Sequence, residues 1–464
     1  MNLYNTKSRS IEKFIPNEEN EVKLYTCGPT VYHYAHIGNL RSYIMEDILE
    51  KTLNYLGYHV TRCMNITDVG HLSSDSDTGE DKMLKGAKRE KKTVLEIAEM
   101  YTNAFFEDCR KLNIKKPEII APATKHIDEY IKVIEKLLEK GYAYKSNGNI
   151  YFDVTKLDNY YALTNHTLDE LVVGAREDVE EDTGKKNQAD FVLWFTKSKF
   201  DSQELKWNSP WGVGYPGWHI ECSCISMKYL GEYLDIHCGG VDNIFPHHTN
   251  EIAQAEGYLD HKWCNYWFHV EHLNDSTGKM SKSKGEFLTV SLLEQKGYNP
   301  LAYRLFCLQS HYRKQLVFTY DALDNATNAY DKLKNKIKSL KENTNEEIDF
   351  NLVKEYQNKF KEALGNDLNT ADALTTLYDV LKLDTNNKTK LYLIEDFDKV
   401  LSLDLLKEEE IDNETLEYIN KKIEERNIAK KNKDYTKADS IREELQSKGI
   451  YIKDTREGTI FEIK

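Results

Sequence analysis

The sequence predicts an α/β protein of several domains, since strand and helix patterns alternate in its first part and helical patterns predominate after residue 320. Val22 to Tyr25 is a short apolar run, and apolar side chains then recur at helical spacing from Ile44 to Leu56. The stretch "HVTRCMNITD" is typical of the next strand. Together they predict a βαβ unit whose first crossover is a turn of the nucleotide-binding kind.

A different pattern interrupts the first one between about Lys116 and Asn208, which predicts a small inserted domain. This stretch has a helix with apolar side chains inward from Ile127 to Leu138. A hairpin around a Ser-Asn-Gly-Asn turn follows it. The α/β pattern resumes with "YLDIHCGGVDN", whose apolar side chains alternate as they do in a strand.

From Tyr320 on, apolar stripes at helical spacing predict a helical bundle, and core packing is the simplest account of them. A last mixed-charge helix, a stop at Gly449 and a hairpin around Glu457 and Gly458 predict a small α+β module. The residues of these stripes are Tyr330, Leu333, Ile337 and Leu340, then Tyr356, Phe360 and Leu364, then Leu374, Leu377 and Leu381, and in the last helix Ala438, Ile441 and Leu445.

Composition restricts the class of protein. With 464 residues the chain is long enough for about three globular domains, and it has no apolar run that could span a bilayer. The N-terminus lacks the apolar segment of a signal peptide, so we expect a cytoplasmic protein. Its 8 cysteines are too few for a secreted disulfide scaffold, which favours reduced thiols or metal ligands. The net charge of −14 argues against a protein that coats nucleic acid non-specifically, but it permits a local basic stripe.

Two short segments carry residues suited to phosphates. His36 and Gly38 follow the first strand, where a helix N-terminus and an imidazole can bind phosphate oxygens. The stretch "STGKMSKSKG" places Lys279, Lys282 and Lys284 between two glycines, and such a loop can clamp a polyphosphate as charge develops. Taken singly, an ordinary turn and a solvated surface loop explain these segments as well.

The two segments occur in the same order as the two signature motifs of class I aminoacyl-tRNA synthetases, and the chain resembles that family. "KMSKS" matches the family motif letter for letter. "HIGN" differs at its last position, where Asn39 stands in place of the commonest residue, a histidine. An asparagine side chain can also donate a hydrogen bond to a phosphate or a ribose.

Four further residues resemble the zinc site of the cysteinyl-tRNA synthetase family within that class, namely Cys27, Cys222, His247 and Glu251. The last two are four residues apart on a predicted helix and face the same way, as two ligands of one metal would. His248 is also within reach of that face, and the resemblance selects His247. From the residues alone, burial as structural cysteines is the commoner fate of Cys27 and Cys222.

The resemblance extends over essentially the whole chain, through blocks such as "DFVLW", "DIHCGGVDNIFPHH" and "AKKNKDYTKADSIREELQSKGI". It implies a doubly wound, parallel-sheet (Rossmann-like) catalytic domain with an inserted connective domain. The insertion departs most from the family, because its acidic stretch "REDVEED" is followed by Thr183 to Gln188, where a shorter basic link is expected. The implied boundaries are 1–115 and 209–260 for the two halves of the catalytic domain, 116–208 for the insertion, 261–320 for a stem-contact segment with the KMSKS loop, 321–410 for the bundle and 411–464 for an anticodon-binding module.

By the same resemblance the chain is a monomer that activates L-cysteine with ATP and Mg²⁺ and transfers it to the 3′-terminal ribose of cysteine tRNA, without a membrane partner. One zinc ion per chain would recognise the substrate as a thiolate. The resemblance assigns catalysis to His36, Asn39, Lys279 and Lys282, and it assigns ATP binding to the same residues with Gly38. The residues that it places around the amino acid are Gly28, Thr67, Trp218, His237 and Asp242.

Other activities share parts of this pattern. A cysteine ligase that acts on a sugar amine would end before the helical region, whereas this chain continues from Tyr320 to residue 464. Valyl and isoleucyl relatives carry a large editing insertion for which the chain has no room. A relative that binds tRNA without catalysis would be expected to lose part of KMSKS or of the metal ligands, and both are kept. A methionyl relative stays open on the signature motifs alone.

Overall fold

The computed structural model describes most of the chain, namely residues 1–69, 82–164, 184–197, 204–275, 278–279, 287–341, 346–408, 413–455 and 458–463. Lys282 and the acidic stretch 176–182 lie outside the described residues. The chain forms two compact units, Met1–Leu406 and Lys407–Lys464. Within the described ranges, no helix has the length and the apolar character needed to cross a membrane.

The strands and helices alternate up to residue 275, and helices dominate after it, as predicted. The described strands are β1 (Asn2–Asn5), β2 (Ser10–Lys13), β3 (Glu21–Thr26), β4 (His59–Ile66), β5 (Ile119–Pro122), β6 (Ala143–Ser146), β7 (Asn149–Phe152), β8 (Phe191–Phe195), β9 (Tyr215–Pro216), β10 (Leu234–Gly240), β11 (Cys264–Val270), β12 (Leu273–Asp275), β13 (Gly278–Lys279), β14 (Leu316–Val317), β15 (Ile450–Thr455) and β16 (Gly458–Ile463). The described α-helices are α1 (Ile37–Tyr55), α2 (Lys82–Glu90), α3 (Val94–Lys111), α4 (Ile127–Glu139), α5 (His219–Leu230), α6 (Thr249–Leu259), α7 (Val290–Gln295), α8 (Pro300–Leu308), α9 (Tyr320–Leu340), α10 (Phe350–Gly365), α11 (Thr370–Lys382), α12 (Asn387–Leu401), α13 (Asn413–Lys431) and α14 (Tyr435–Ser447).

A parallel sheet in the order β11-β10-β3-β4-β5 forms the centre of the first unit. Helices cover both of its faces: Leu24 of β3 shares a core with α1, and the next residue, Tyr25, shares a core with α5. The predicted doubly wound α/β class is therefore confirmed. The direction of winding reverses between β3 and β10, and in such sheets ligands bind at the carboxyl ends of the strands beside that point.

Helix α1 follows from the predicted periodicity. Ile44, Ile48, Leu49 and Leu53 are fully buried, and the helix ends shortly before Gly57, whose φ of 98° favours glycine. Burial of this stripe against the sheet fixes the position of the helix N-terminus at the carboxyl end of β3.

Strands β6, β7 and β8 lie in the predicted insertion and form an antiparallel sheet with β9, which lies beyond its predicted end at residue 208; the hairpin β6-β7 is the predicted one. Strand β5, which also lies between residues 116 and 208, pairs with β4 in the central sheet. The domain boundaries of the sequence analysis stay a prediction.

The predicted helical bundle consists of α9 to α12, whose stripes pack into the same core as α1. In the second unit, Ala438, Ile441 and Leu445 are buried as predicted, and β15 and β16 form the predicted hairpin. The sequence predicts these elements because the side chains on the buried face of each one recur at a regular spacing.

Candidate active site and metal centre

The four residues that resemble a zinc site lie together at the carboxyl end of the central sheet. Cys27 follows β3 directly, Cys222 lies in the first turn of α5, and His247 and Glu251 flank the start of α6. One ligand atom from each of the four lies within 4.8 Å of all the others. The fold thus assembles a buried cluster from three segments that are distant in the sequence.

A second set of side chains overlaps the first. Cys27, His237, His248 and Glu251 also offer ligand atoms within 4.8 Å of one another. His248 Nε2 lies 3.2 Å from Cys27 Sγ, and His237 Nε2 lies 2.8 Å from Glu251 Oε2. Because the two sets share Cys27 and Glu251, they describe a single location.

Burial and neighbouring charges set the protonation of this cluster. Burial opposes ionisation of Glu251, but His237 and His247 lower its pKa to about 2. Burial also raises the pKa of Cys222, yet a hydrogen bond with Cys27 and the charge of His247 bring that pKa down to about 6. Burial lowers the pKa of His247, but Glu251 and Cys222 outweigh it and raise this pKa to about 10. The protonated His247 imidazole thus favours the charged forms of the Glu251 carboxylate and the Cys222 thiol, and these two groups favour its own.

Two further histidines form an outer layer that the sequence analysis missed. His219 Nδ1 lies 2.9 Å from His247 Nδ1, and His269 Nε2 lies 2.8 Å from His248 Nδ1. A ligand histidine usually has its second ring nitrogen held by such a partner, which fixes the orientation of the ring. The sequence offers one indication of each residue: His219 stands three residues before Cys222 in "GWHIECS", and His269 lies on β11, the strand beside β10.

The donor set fits zinc. Two thiols, an imidazole and a carboxylate are the groups that bind Zn²⁺ in a tetrahedral arrangement, whereas Mg²⁺ and Ca²⁺ take oxygen donors. The least buried of the four, Cys27, is only 9% exposed. A soft, buried and partly anionic cluster of this kind is suited to a zinc ion.

His36 caps the N-terminus of α1. Its Nδ1 accepts a hydrogen bond from Asn39 N at 3.2 Å, so in the neutral ring the proton is on Nε2. A Cβ at Gly38 would lie 2.9 Å from His36 Nδ1, so a larger residue there would displace the imidazole. The turn therefore presents an imidazole N–H together with the positive end of the helix dipole.

The chain that follows the KMSKS sequence contacts the turn that carries His36. Ile37 N, one residue after the histidine, donates to Leu288 O at 2.9 Å, just after the KMSKS sequence. Lys279 is the last residue of β13. The position of Lys282 lies outside the described residues.

Trp218 and His237, two of the five residues expected around the amino acid, contact the cluster. The ring of Trp218 packs on that of His247, with centroids 4.2 Å apart. His237 bonds Glu251 and stacks on Trp267, with centroids 4.7 Å apart. Both side chains therefore line the surroundings of the ligand residues.

The other three expected residues have different environments. Gly28 N donates to Asn65 Oδ1 at 2.7 Å, and Asn65 Nδ2 donates to Thr67 Oγ1 at 3.1 Å. Thr67 in turn donates to Glu221 Oε2 at 2.8 Å. The carboxylate of Asp242 is half exposed, at 50%. Gly28 and Thr67 thus belong to a polar chain behind Cys27, and Asp242 faces a more open region.

The chain matches known proteins over almost its whole length. Residues 13–328 match the family described as tRNA synthetases class I (C) catalytic domain, and residues 359–403 match the DALR domain. The chain is 46% identical over 485 residues to a cysteine-tRNA ligase from Treponema denticola, which covers 98% of each chain. It belongs to the cysteine-tRNA ligase family. A second such ligase, from Borreliella burgdorferi, is 46% identical over 477 residues and covers 99% of this chain and 98% of the relative.

Solved structures of other synthetases have a similar fold. Mycobacterium tuberculosis methionyl-tRNA synthetase bound by methionyl-adenylate has a TM-score of 0.57 and 14% identity, covering 83% of this chain and 91% of that one. At this identity the likeness shows the class I fold alone. Membership of the cysteine-tRNA ligase family decides against the methionyl, valyl and isoleucyl alternatives, and the match extends through the helical region that a sugar-amine ligase would lack.

Proposed function

We propose that the chain activates L-cysteine with ATP and transfers the cysteinyl group to the 3′-terminal ribose of cysteine tRNA. In the first step a carboxylate oxygen of cysteine attacks the α-phosphate, and pyrophosphate leaves. The proposal is carried by the buried cluster of Cys27, Cys222, His247 and Glu251. The cluster and the His36 turn both follow β3, so the two substrates would bind at one edge of the sheet.

Cys27, Cys222, His247 and Glu251 would hold one zinc ion. When bound, zinc lowers the pKa of a substrate thiol so that cysteine is held as a thiolate, whereas a serine hydroxyl gains far less. Shape alone separates two such similar side chains by only about 1–3 kcal/mol. Selection of the thiol by its affinity for the metal makes a separate editing domain unnecessary.

With four protein residues as its ligands the zinc site would be closed, so one of them would have to make room for the substrate. We assign this part to Glu251, since a carboxylate competes poorly with a thiolate for zinc. His237 lies 2.8 Å from one carboxylate oxygen of Glu251, and His247 lies 3.0 Å from the other. His237 would keep the displaced carboxylate hydrogen-bonded.

The His36 turn would bind the phosphates of ATP, which Mg²⁺ accompanies. The Nε2–H of His36 and the N-terminus of α1 would donate to phosphate oxygens, with Gly38 allowing their close approach. The exposed side chain of Asn39 adds a further donor. Lys279 and Lys282 would stabilise the charge that develops at the α-phosphate, so the work of the protein is positioning and charge stabilisation.

The remaining site residues would surround the amino acid. Trp218 and His237 would form the wall next to the zinc ligands. Gly28 and Thr67 would keep the backbone around Cys27 in place through their polar chain. Asp242 would offer a carboxylate to the substrate ammonium group.

The second compact unit, residues 407–464, would bind the anticodon end of the tRNA. Its helix α13 carries Lys421 and Lys431 on its exposed surface, and Lys433, two residues after the helix ends, is exposed as well. Arg426, which belongs to the same basic stretch, is only 3% exposed and its Nη1 lies 2.8 Å from Asp454. The exposed lysines are therefore the candidates for phosphate contacts, and Arg426 stabilises the unit.

ATP–pyrophosphate exchange measured with cysteine, serine and methionine in parallel tests the proposal. We expect exchange with cysteine alone, followed by charging of cysteine tRNA when the tRNA is added. Exchange that methionine or serine supports as well as cysteine does would contradict it.

A further inference from the structure

Arg41 lies on α1 three residues after Gly38 and connects this helix to the chain around KMSKS. We propose that Arg41 is a positioning residue for cysteine activation, whose guanidinium fixes the His36 turn relative to the segments that flank the KMSKS sequence. The inference rests on the proposed roles of His36 and Lys282. Arg41 belongs neither to the two sequence motifs nor to the candidate zinc ligands.

Both terminal nitrogens of Arg41 donate to backbone carbonyls, and they do so on two different segments. Nη1 donates to Glu271 O at 2.6 Å and to His272 O at 2.7 Å. Nη2 donates to Lys314 O at 2.7 Å and to His311 O at 3.4 Å. A guanidinium is planar and its donors point in fixed directions. The two segments are therefore held at a defined distance from α1.

The four carbonyls belong to the residues that lead into two strands. Glu271 and His272 precede β12, and His311 and Lys314 precede β14. Strand β12 pairs with β14 on one side and with β13, which contains Lys279, on the other. A shift of these carbonyls would therefore move the strands from which the KMSKS sequence continues.

The chain that follows KMSKS is attached to the same turn. Ile37 N donates to Leu288 O at 2.9 Å, and Tyr303 Oη donates to Ile37 O at 2.7 Å. A Cβ at Gly38 would lie 3.6 Å from Leu273 Cβ, so the turn packs directly on β12. Arg41 thus completes a set of contacts that joins the turn to both flanks of KMSKS.

The charge of Arg41 strengthens this restraint. The residue is fully buried, and each of its hydrogen bonds in the described part of the chain goes to a backbone carbonyl. Burial lowers the pKa of Arg41 from its usual value, and nearby charges such as that of Glu271 oppose this only in part. A buried cation that depends on carbonyl dipoles favours the one arrangement in which all of them point at it.

The test is Arg41→Lys, which keeps the charge but cannot donate as a planar fork. Arg304→Lys is the matched control, because Arg304 is also fully buried but its hydrogen bonds go elsewhere, to Leu401, Leu112, Asn113 and Asp47. In cysteine-dependent ATP–pyrophosphate exchange, we expect Arg41→Lys to lower kcat by about 10- to 100-fold and to change KM for either substrate by less than about 3-fold. Arg304→Lys should keep kcat within about 2-fold of the native value.

A double variant separates positioning from a general loss of structure. If Arg41 acts through KMSKS, Arg41→Lys with Lys282→Ala should be about as slow as Lys282→Ala alone. Fully additive losses overturn the proposal, as does a native kcat in Arg41→Lys or an equal loss in Arg304→Lys. An Arg41→Lys protein that unfolds where Arg304→Lys folds would show a purely structural role and also overturn it. Absence of cysteine-dependent exchange in the native protein is the separate result that refutes the proposed function.

Discussion

Gly28→Ala is expected to destabilise the first unit and to lower its zinc content, because residue 28 lies against the backbone of β4. A Cβ at this position would be 1.6 Å from Asn65 O and 2.7 Å from Asn65 C. Non-bonded carbon and oxygen atoms approach to about 3.3 Å, so the two backbones would have to separate by about 1.7 Å. Cys27 is the adjacent residue, and this shift would move it away from Cys222, His247 and Glu251, the other candidate zinc ligands.

Overpacking against atoms that cannot rotate away costs up to about 3 kcal/mol, and we expect Gly28→Ala to lose about that much free energy of unfolding in urea. Gly240→Ala is the matched control, since its φ of −78° suits alanine and the nearest atoms to its Cβ are 3.8 and 4.0 Å away. The control should differ from the native protein by less than about 0.5 kcal/mol. Equal unfolding free energies for the two variants, or native zinc content in Gly28→Ala, would refute the reasoning.

Three further perturbations test other parts of the account. Lys282→Ala should lower the rate of cysteine activation by roughly two orders of magnitude with less effect on ATP binding, since the charge of Lys282 is needed most in the transition state. ATP–pyrophosphate exchange kinetics measure this rate, and a native rate would show that the assignment of the KMSKS loop is wrong. Removing residues 407–464 should spare adenylate formation and reduce charging of cysteine tRNA, whereas equal loss of both activities would indicate a structural role. Burial, partly offset by Arg62, raises the pKa of Glu46 from 4.5 to about 8, so the folded state retains a proton that the unfolded state releases. This contribution to stability is complete below pH 4.5 and falls by about 1.4 kcal/mol per pH unit until the pH reaches about 8; Glu46→Gln should make the decline in urea unfolding shallower by about this slope, and an unchanged decline would exclude the assignment.

The sequence predicts those elements whose burial is periodic. Ile44, Ile48, Leu49 and Leu53 mark α1 because every third or fourth side chain of that helix enters the core. The bundle stripes and the hairpin β6-β7 are predictable for the same kind of reason. The order of the strands in the sheet has no such local pattern, and it follows from which faces pack together.

The candidate site is harder to predict from the sequence than the helices are, because contacts between different elements produce no periodic pattern of residues. Cys27 and Cys222 are 195 residues apart, yet their Sγ atoms lie 3.9 Å from each other. Only the resemblance to a family joined them before the fold was known. His219 and Arg41 were missed because neither stands in one of the two signature motifs and their contacts are with residues distant in the sequence. Arg426 stands in a basic stretch of the sequence, yet it is buried and paired with Asp454, because charge alone does not tell which side of a helix faces the core.

The central claim is that zinc, held by this cluster, distinguishes cysteine from serine. The most direct measurement is the cysteine-over-serine ratio of kcat/KM in ATP–pyrophosphate exchange, with zinc content determined on the same samples. Cys224→Ser is the matched control for Cys222→Ser, since Cys224 is a buried thiol on the same helix that is in neither described ligand set. The native protein and Cys224→Ser should each hold about one zinc ion per chain and keep the preference, while Cys222→Ser should lose both. A zinc-free preparation that prefers cysteine over serine as strongly as the native protein does would contradict the claim.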